Sequence, residues 1–104
     1  MNLPSLRQRI DAIDHRLLRL LTVRATLAIH VGRLKRARGL PIFDPQREAA
    51  ILRQAAGGEL GPLSRTAIRD IFRAILRQSR RVEAAATTRD IRRRSRARAA
   101  AQRD

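Results

Sequence analysis

Between Leu6 and Val31 the apolar residues of this chain advance in alternating steps of four and three: Leu6, Ile10, Ile13, Leu17, Leu20, then Leu27 and Val31. That spacing lines them up along one seam of a helix that packs over its whole length. Ser5 and Gln8 stand at capping-box spacing, with Pro4 just before the expected cap. The seam predicts a helix from about Ser5 to Arg38, where Gly39 and then Pro41 end it. A helix of roughly 33 residues is about 50 Å long. A compact domain of this size has a radius of gyration of only about 13 Å. The remaining helices are too short to cover such a seam, and the simplest way to bury it is a second copy of the chain about a twofold axis.

Two further helices follow. Asp44 is a good N-cap with Pro45 at the first helical position, and a short helix runs from there to about Ala56, stopped by Gly57 and Gly58. Ser64 opens a third, with Leu63 and Ile68 at hydrophobic-staple positions. Ile68, Ile71, Phe72, Ile75, Leu76 and Val82 carry it at least to Glu83. The chain shows no internal repeat and no strand pattern. With 104 residues it is one domain or less, and with aromatics at 2% its core must come from Leu, Ile, Val and Ala. The expected fold class is all-α, a three-helix protomer with one very long N-terminal helix.

The net charge of +15 has two parts. Residues 85–104 carry seven arginines against Asp90 and Asp104, which leaves +10 on the rest of the chain. Two units are therefore expected: a helical domain over residues 1–84, and a basic Arg/Ala-rich tail over 85–104 that is either a helical extension or disordered. The tail lacks apolar periodicity and adds little to a core. There is no cysteine, the N-terminus has no apolar leader, and no stretch approaches a membrane span. A cytoplasmic location is the expectation.

The chemistry-bearing residues are chiefly charges. His15 and His30 have no partner at metal-ligand spacing and read as surface residues, so no metal is expected. The serines have no activating His nearby in sequence, and there is no Gly-rich phosphate loop. Arg24, however, occupies the apolar seam itself, and Lys35 lies eleven residues on, close to three turns, so both cations share one face with Ala28. A buried unpaired guanidinium is very costly, so Arg24 must meet an anion, either an internal carboxylate or a ligand. Asp44 and Glu48 can be a cap and a first-turn acid. Ser79 and Glu83 continue the inward face of the third helix.

Taken together, LRQRIDAIDHRLLRLLTVRATLAIHVGRLK, GLPIFDPQREAAIL and IFRAILRQS resemble the all-helical class of chorismate mutases. The resemblance covers about residues 5–83, and the D-P-x-R-E element and the Arg–Lys pair eleven apart make it specific. It implies an intertwined homodimeric helical bundle that converts chorismate to prephenate by a Claisen rearrangement and needs no cofactor. It places Arg24, Lys35, Asp44, Arg47, Glu48, Ser79 and Glu83 in one site, with Arg7 entering across the interface. Arg7 and Arg24 lie about 100° apart around the same helix, which agrees with their belonging to different sites. In this scheme Arg7 and Arg24 grip the two substrate carboxylates and Ser79 assists at the ring carboxylate. Asp44 and Glu48 orient the ring hydroxyl, Arg47 positions those acids, and Lys35 donates to the ether oxygen. Glu83 departs from the family, which commonly has Gln here, and only a protonated Glu can donate to that oxygen.

Two other functions fit parts of the sequence. Isochorismate pyruvate lyases resemble these mutases and use a similar cationic pocket, although the D-P-Q-R-E element looks more like the mutases. A basic helical protein that binds nucleic acid through Arg92, Arg93, Arg94, Arg96 and Arg98 is the rival of a different class. The near-absence of stacking aromatics counts against it. Some mutases of this class gain activity by docking onto another enzyme of the same pathway, which leaves a regulatory partner open.

Overall fold

The computed structural model describes residues 1–58 and 61–103, so Asp104 of the tail lies outside it. The described residues form three helices: α1 (Leu3–Ala37), α2 (Pro45–Ala56) and α3 (Arg65–Ala101). No strand occurs among the described residues.

The start of α1 differs from the sequence expectation. Asn2, not Ser5, is the cap, and its side chain accepts the Ser5 N–H at 2.9 Å. Pro4 sits inside the first turn, where its missing N–H costs nothing because no acceptor faces that position. At the other end Gly39 adopts φ 69°, the left-handed conformation that glycine tolerates best. The Leu40 N–H then reaches back to the Lys35 carbonyl at 2.8 Å and the Gly39 N–H to the Arg36 carbonyl at 3.1 Å. This Schellman turn reverses the chain and aims it at α2. Asp44 caps α2 by accepting the Arg47 N–H at 3.1 Å, and Ser64 caps α3 by accepting the Ala67 N–H at 3.0 Å, both as the sequence indicates.

α3 is the longest element because the Ala/Arg segment continues it, without a break at residue 84, to Ala101. Alanine and arginine are both strong helix formers, so the segment needs no apolar face to remain helical. α1 and α2 each pack against α3, which is therefore the centre of the protomer. The assembly is long and thin, 70 × 34 × 15 Å, with a radius of gyration of 19.2 Å.

A single protomer buries little. Among the described residues only Ala56, Leu76 and Ala86 are buried hydrophobics, while the seam residues Leu6, Ile10, Ile13, Leu17, Leu20, Leu27 and Val31 are all exposed. α1 buries one residue, Gly32. A Cβ added there would stand 3.3 Å from Cγ of Glu83, so the glycine sets how closely α1 approaches α3. No described helix is long and apolar enough to cross a membrane.

Candidate active site

The three helices enclose a cavity of about 280 Å³ beside the C-terminal half of α1. Arg24, Leu27, Ala28, Val31 and Lys35 line it from α1, Glu48 and Ile51 from α2, and Leu76, Ser79, Arg80 and Glu83 from α3. Ile42 and Asp44 of the connecting loop and Arg47 complete the wall. Every residue that the resemblance places in the site therefore lines this one space except Arg7. Arg7 is exposed near the start of α1, about 26 Å along the helix from Arg24.

Arg24 projects from the seam toward α3 and donates through Nη1 to Ser79 Oγ. Ser79 in turn donates its hydroxyl proton to the Ile75 carbonyl at 3.0 Å, which leaves its lone pairs for Arg24. The serine is neutral, so the cation has been oriented without its charge being cancelled. Among the described residues of the protomer no carboxylate forms an ion pair with Arg24.

Lys35 ties the loop to the site. Its Nζ donates to the Ile42 carbonyl at 2.8 Å, while its own carbonyl accepts the Leu40 N–H. The ammonium lies 3.9 Å from Glu83 Oε2, close enough for ionic attraction but beyond a hydrogen bond. Glu83 is 7% exposed, and its Oε2 is buried with no hydrogen-bond partner. Burial pushes its carboxyl above the usual range, Lys35 opposes that, Glu48 adds to it, and Arg24 opposes it more weakly. The shift widens the pH range over which the protonated form exists, and in that form the group can donate a hydrogen bond into the cavity.

Arg80 is the residue that sequence reasoning missed. It donates through Nη1 to Glu48 Oε1, and its guanidinium stacks 5.2 Å from the centre of the Phe43 ring. It fixes the Glu48 carboxylate at the N-terminal end of α2. The available signal was weak: an arginine one residue past Ser79 sits about 100° off the inward face. Only the position of α2 makes that flank an interior one.

The wall as a whole presents Arg24, Lys35, Arg47 and Arg80 against Asp44, Glu48 and Glu83, on an apolar floor of Leu27, Val31, Ile51 and Leu76. Among the described residues no His, Cys, Asp or Glu cluster could hold a metal ion. What the cavity can do is bind a compact anion, orient it, and donate hydrogen bonds from Lys35 and protonated Glu83 to one end of it.

The family model described as chorismate mutase type II matches residues 6–84. A T-protein of Haemophilus influenzae is 37% identical over 78 residues, which are 74% of this chain and 21% of that protein. Such matches mean that the chain spans about a fifth of the length of the curated relatives that it matches most fully. Among solved structures, a chorismate mutase (Form II) of Thermus thermophilus has a TM-score of 0.76 at 34% identity, covering 78% of this chain and 92% of that one. A chorismate mutase of Helicobacter pylori, solved in complex with prephenate, has a TM-score of 0.76 at 27% identity, covering 82% and 92%.

Proposed function

The chain belongs to the chorismate mutase type II family, and we propose that it catalyses the rearrangement of chorismate to prephenate as a homodimer. The observation that carries this reading is the convergence of Arg24 and Lys35 from α1, Glu48 from α2, and Ser79 and Glu83 from α3 on one small cavity. The reaction breaks an ether C–O bond and forms a C–C bond within one molecule. It asks for a shaped, charged container rather than a nucleophile.

The roles are those that the resemblance implies, and the geometry of the protomer supports several of them. Arg24, held by Ser79, presents a planar pair of donors to one substrate carboxylate. Arg7 of the partner subunit serves the other carboxylate. Lys35 stands beside Glu83, so the two form a donor pair for the ether oxygen as negative charge develops there. Glu48, fixed by Arg80, and Asp44 at the cap of α2 take the ring hydroxyl, with Arg47 beside them. The apolar floor keeps water from weakening these contacts. Homodimer formation is supported by the exposed seam of α1, which needs a partner of its own length. The cytoplasm, where a small polar dianion is available, is the proposed location.

The test is a chorismate-loss assay on the wild type and Arg24→Ala, with prephenate identified as the product. We expect turnover in the wild type and a loss of about 100-fold or more in the variant. No turnover at any pH from about 5 to 8 would remove this reading. Release of pyruvate from isochorismate with no prephenate from chorismate would move the protein to the lyases.

A further inference from the structure

A second concentration of charge lies away from this cavity, where the last turns of α1 meet the extension of α3. Asp90 sits between Arg33 and Arg36, which leave α1 three residues apart. Arg33 donates to it through Nε at 3.1 Å and Nη2 at 3.4 Å, and Arg36 through Nη2 at 2.8 Å. Those hydrogen bonds, with the attraction of both guanidinia, hold the Asp90 carboxyl well below the usual carboxylate range. Arg93 and Arg94, three and four residues beyond Asp90, face the same space. The four arginines, Asp90 and Ala37 line an open groove of about 500 Å³.

Four guanidinia thus share one groove with a single carboxylate, which accepts hydrogen bonds only from Arg33 and Arg36 of α1. Arg36, one of the lining residues, keeps its Nη1 buried without a hydrogen-bond partner. A buried donor on a charged group is costly to leave unmatched, and around it the four arginines of the groove outnumber its single acid. The lining contains no aromatic ring and only one alanine, and it therefore recognises an anionic head rather than an apolar body.

We propose that this groove binds the phosphoryl group of a small molecule, with Arg36, Arg93 and Arg94 supplying the donors. A tetrahedral oxyanion accepts paired donors from several guanidinia at once, and its two charges offset the local excess better than one carboxylate does. Bound there, it joins the end of α1 to the extension of α3 and stiffens the segment next to Lys35. The site does not depend on the mutase reading, because none of its residues lines the first cavity.

The experiment is calorimetric titration of the full chain with inorganic phosphate and with pyrophosphate, with ionic strength held constant by sodium chloride. Saturable binding of one anion per chain is expected. Arg93→Ala/Arg94→Ala should weaken it by about tenfold or more, two charge-assisted hydrogen bonds being lost. Alanine is a strong helix former, and circular dichroism should show that double variant to be as helical as the wild type. Arg96→Ala/Arg98→Ala removes the same charge from the same extension outside the groove and should change affinity by less than about twofold. Arg24→Ala should leave it unchanged. Equal losses in both double variants would mean diffuse attraction to a basic helix and overturn the site. A loss in Arg24→Ala would mean that the anion occupies the first cavity instead. Citrate binding as tightly as phosphate would overturn the phosphoryl assignment, and absence of saturable binding would overturn the proposal altogether.

Discussion

At Glu83 a carboxyl group is wedged against Gly32, with Lys35 beside it and one oxygen that meets no donor. Because burial raises its pKa, ionising it costs the folded state more than the unfolded one. The stability it contributes is therefore fully present below its ordinary value of 4.5 and is lost as pH rises through the raised value. Glu83→Gln should be more stable than the wild type at pH about 8, and the difference should vanish toward pH about 4 in denaturant titrations. Catalysis should follow the same group. Wild-type kcat/KM should fall as pH rises toward and past neutrality, and Glu83→Gln should flatten that profile. An identical profile in the variant would sink the donor role. At this scale the sequence was informative where a residue broke a pattern, as Arg24 does in an apolar seam. It was mute where a side chain acts through a neighbour far along the chain, as Arg80 does through Glu48 and Phe43. The cap of α1 was misplaced by three residues because Pro4 reads equally well before a helix and inside its first turn.

Helix identities and two of the three caps were legible because periodicity, Asp44-Pro45, Ser64 and the glycine stops are local signals. What sequence could not supply was the approach distance between helices. Gly32 is unremarkable in sequence, yet it is where α1 touches Glu83. In Gly32→Ala the gain in helix propensity, about 1 kcal/mol, opposes the displacement of the Glu83 side chain. Thermal unfolding should shift little, while kcat falls by about tenfold to a hundredfold as the donor pair with Lys35 is displaced. A large loss of stability with unchanged kcat would show that Glu83 is not positioned by this contact. The extension of α3 was legible as helical material but not as a docked element, because Asp90 alone gives no hint that two arginines 54 and 57 residues earlier will reach it. Asp90→Asn keeps the shape and removes the charge. Amide hydrogen exchange beyond residue 90 should quicken in this variant, while the amides of α2 keep their protection.

For the molecule as a whole, the expectation of a second copy rested on helices too short to cover α1. The third helix, α3, at 37 residues, is longer than α1, yet the seam residues of α1 are still exposed in the protomer, as the proposed dimer requires. The assignment of Arg7 across the interface can be tested by mixing inactive variants. In a heterodimer of Arg7→Ala and Arg24→Ala, one site receives both arginines and the other neither. Random mixing makes half the dimers mixed, so unfolding and refolding the two together should restore about a quarter of wild-type activity. If Arg7 acted within its own chain, the mixture would stay inactive.

The thinness of the protomer, with three buried hydrophobic side chains among the described residues, has one more consequence. In the proposed dimer, folding and finding a partner are one event, so the protein's integrity becomes a function of how much of it there is. Its melting temperature should climb with protein concentration, its refolding should follow second-order kinetics, and its specific activity should collapse on dilution. For such a chain, abundance itself acts as a threshold below which there is neither a fold nor a catalyst.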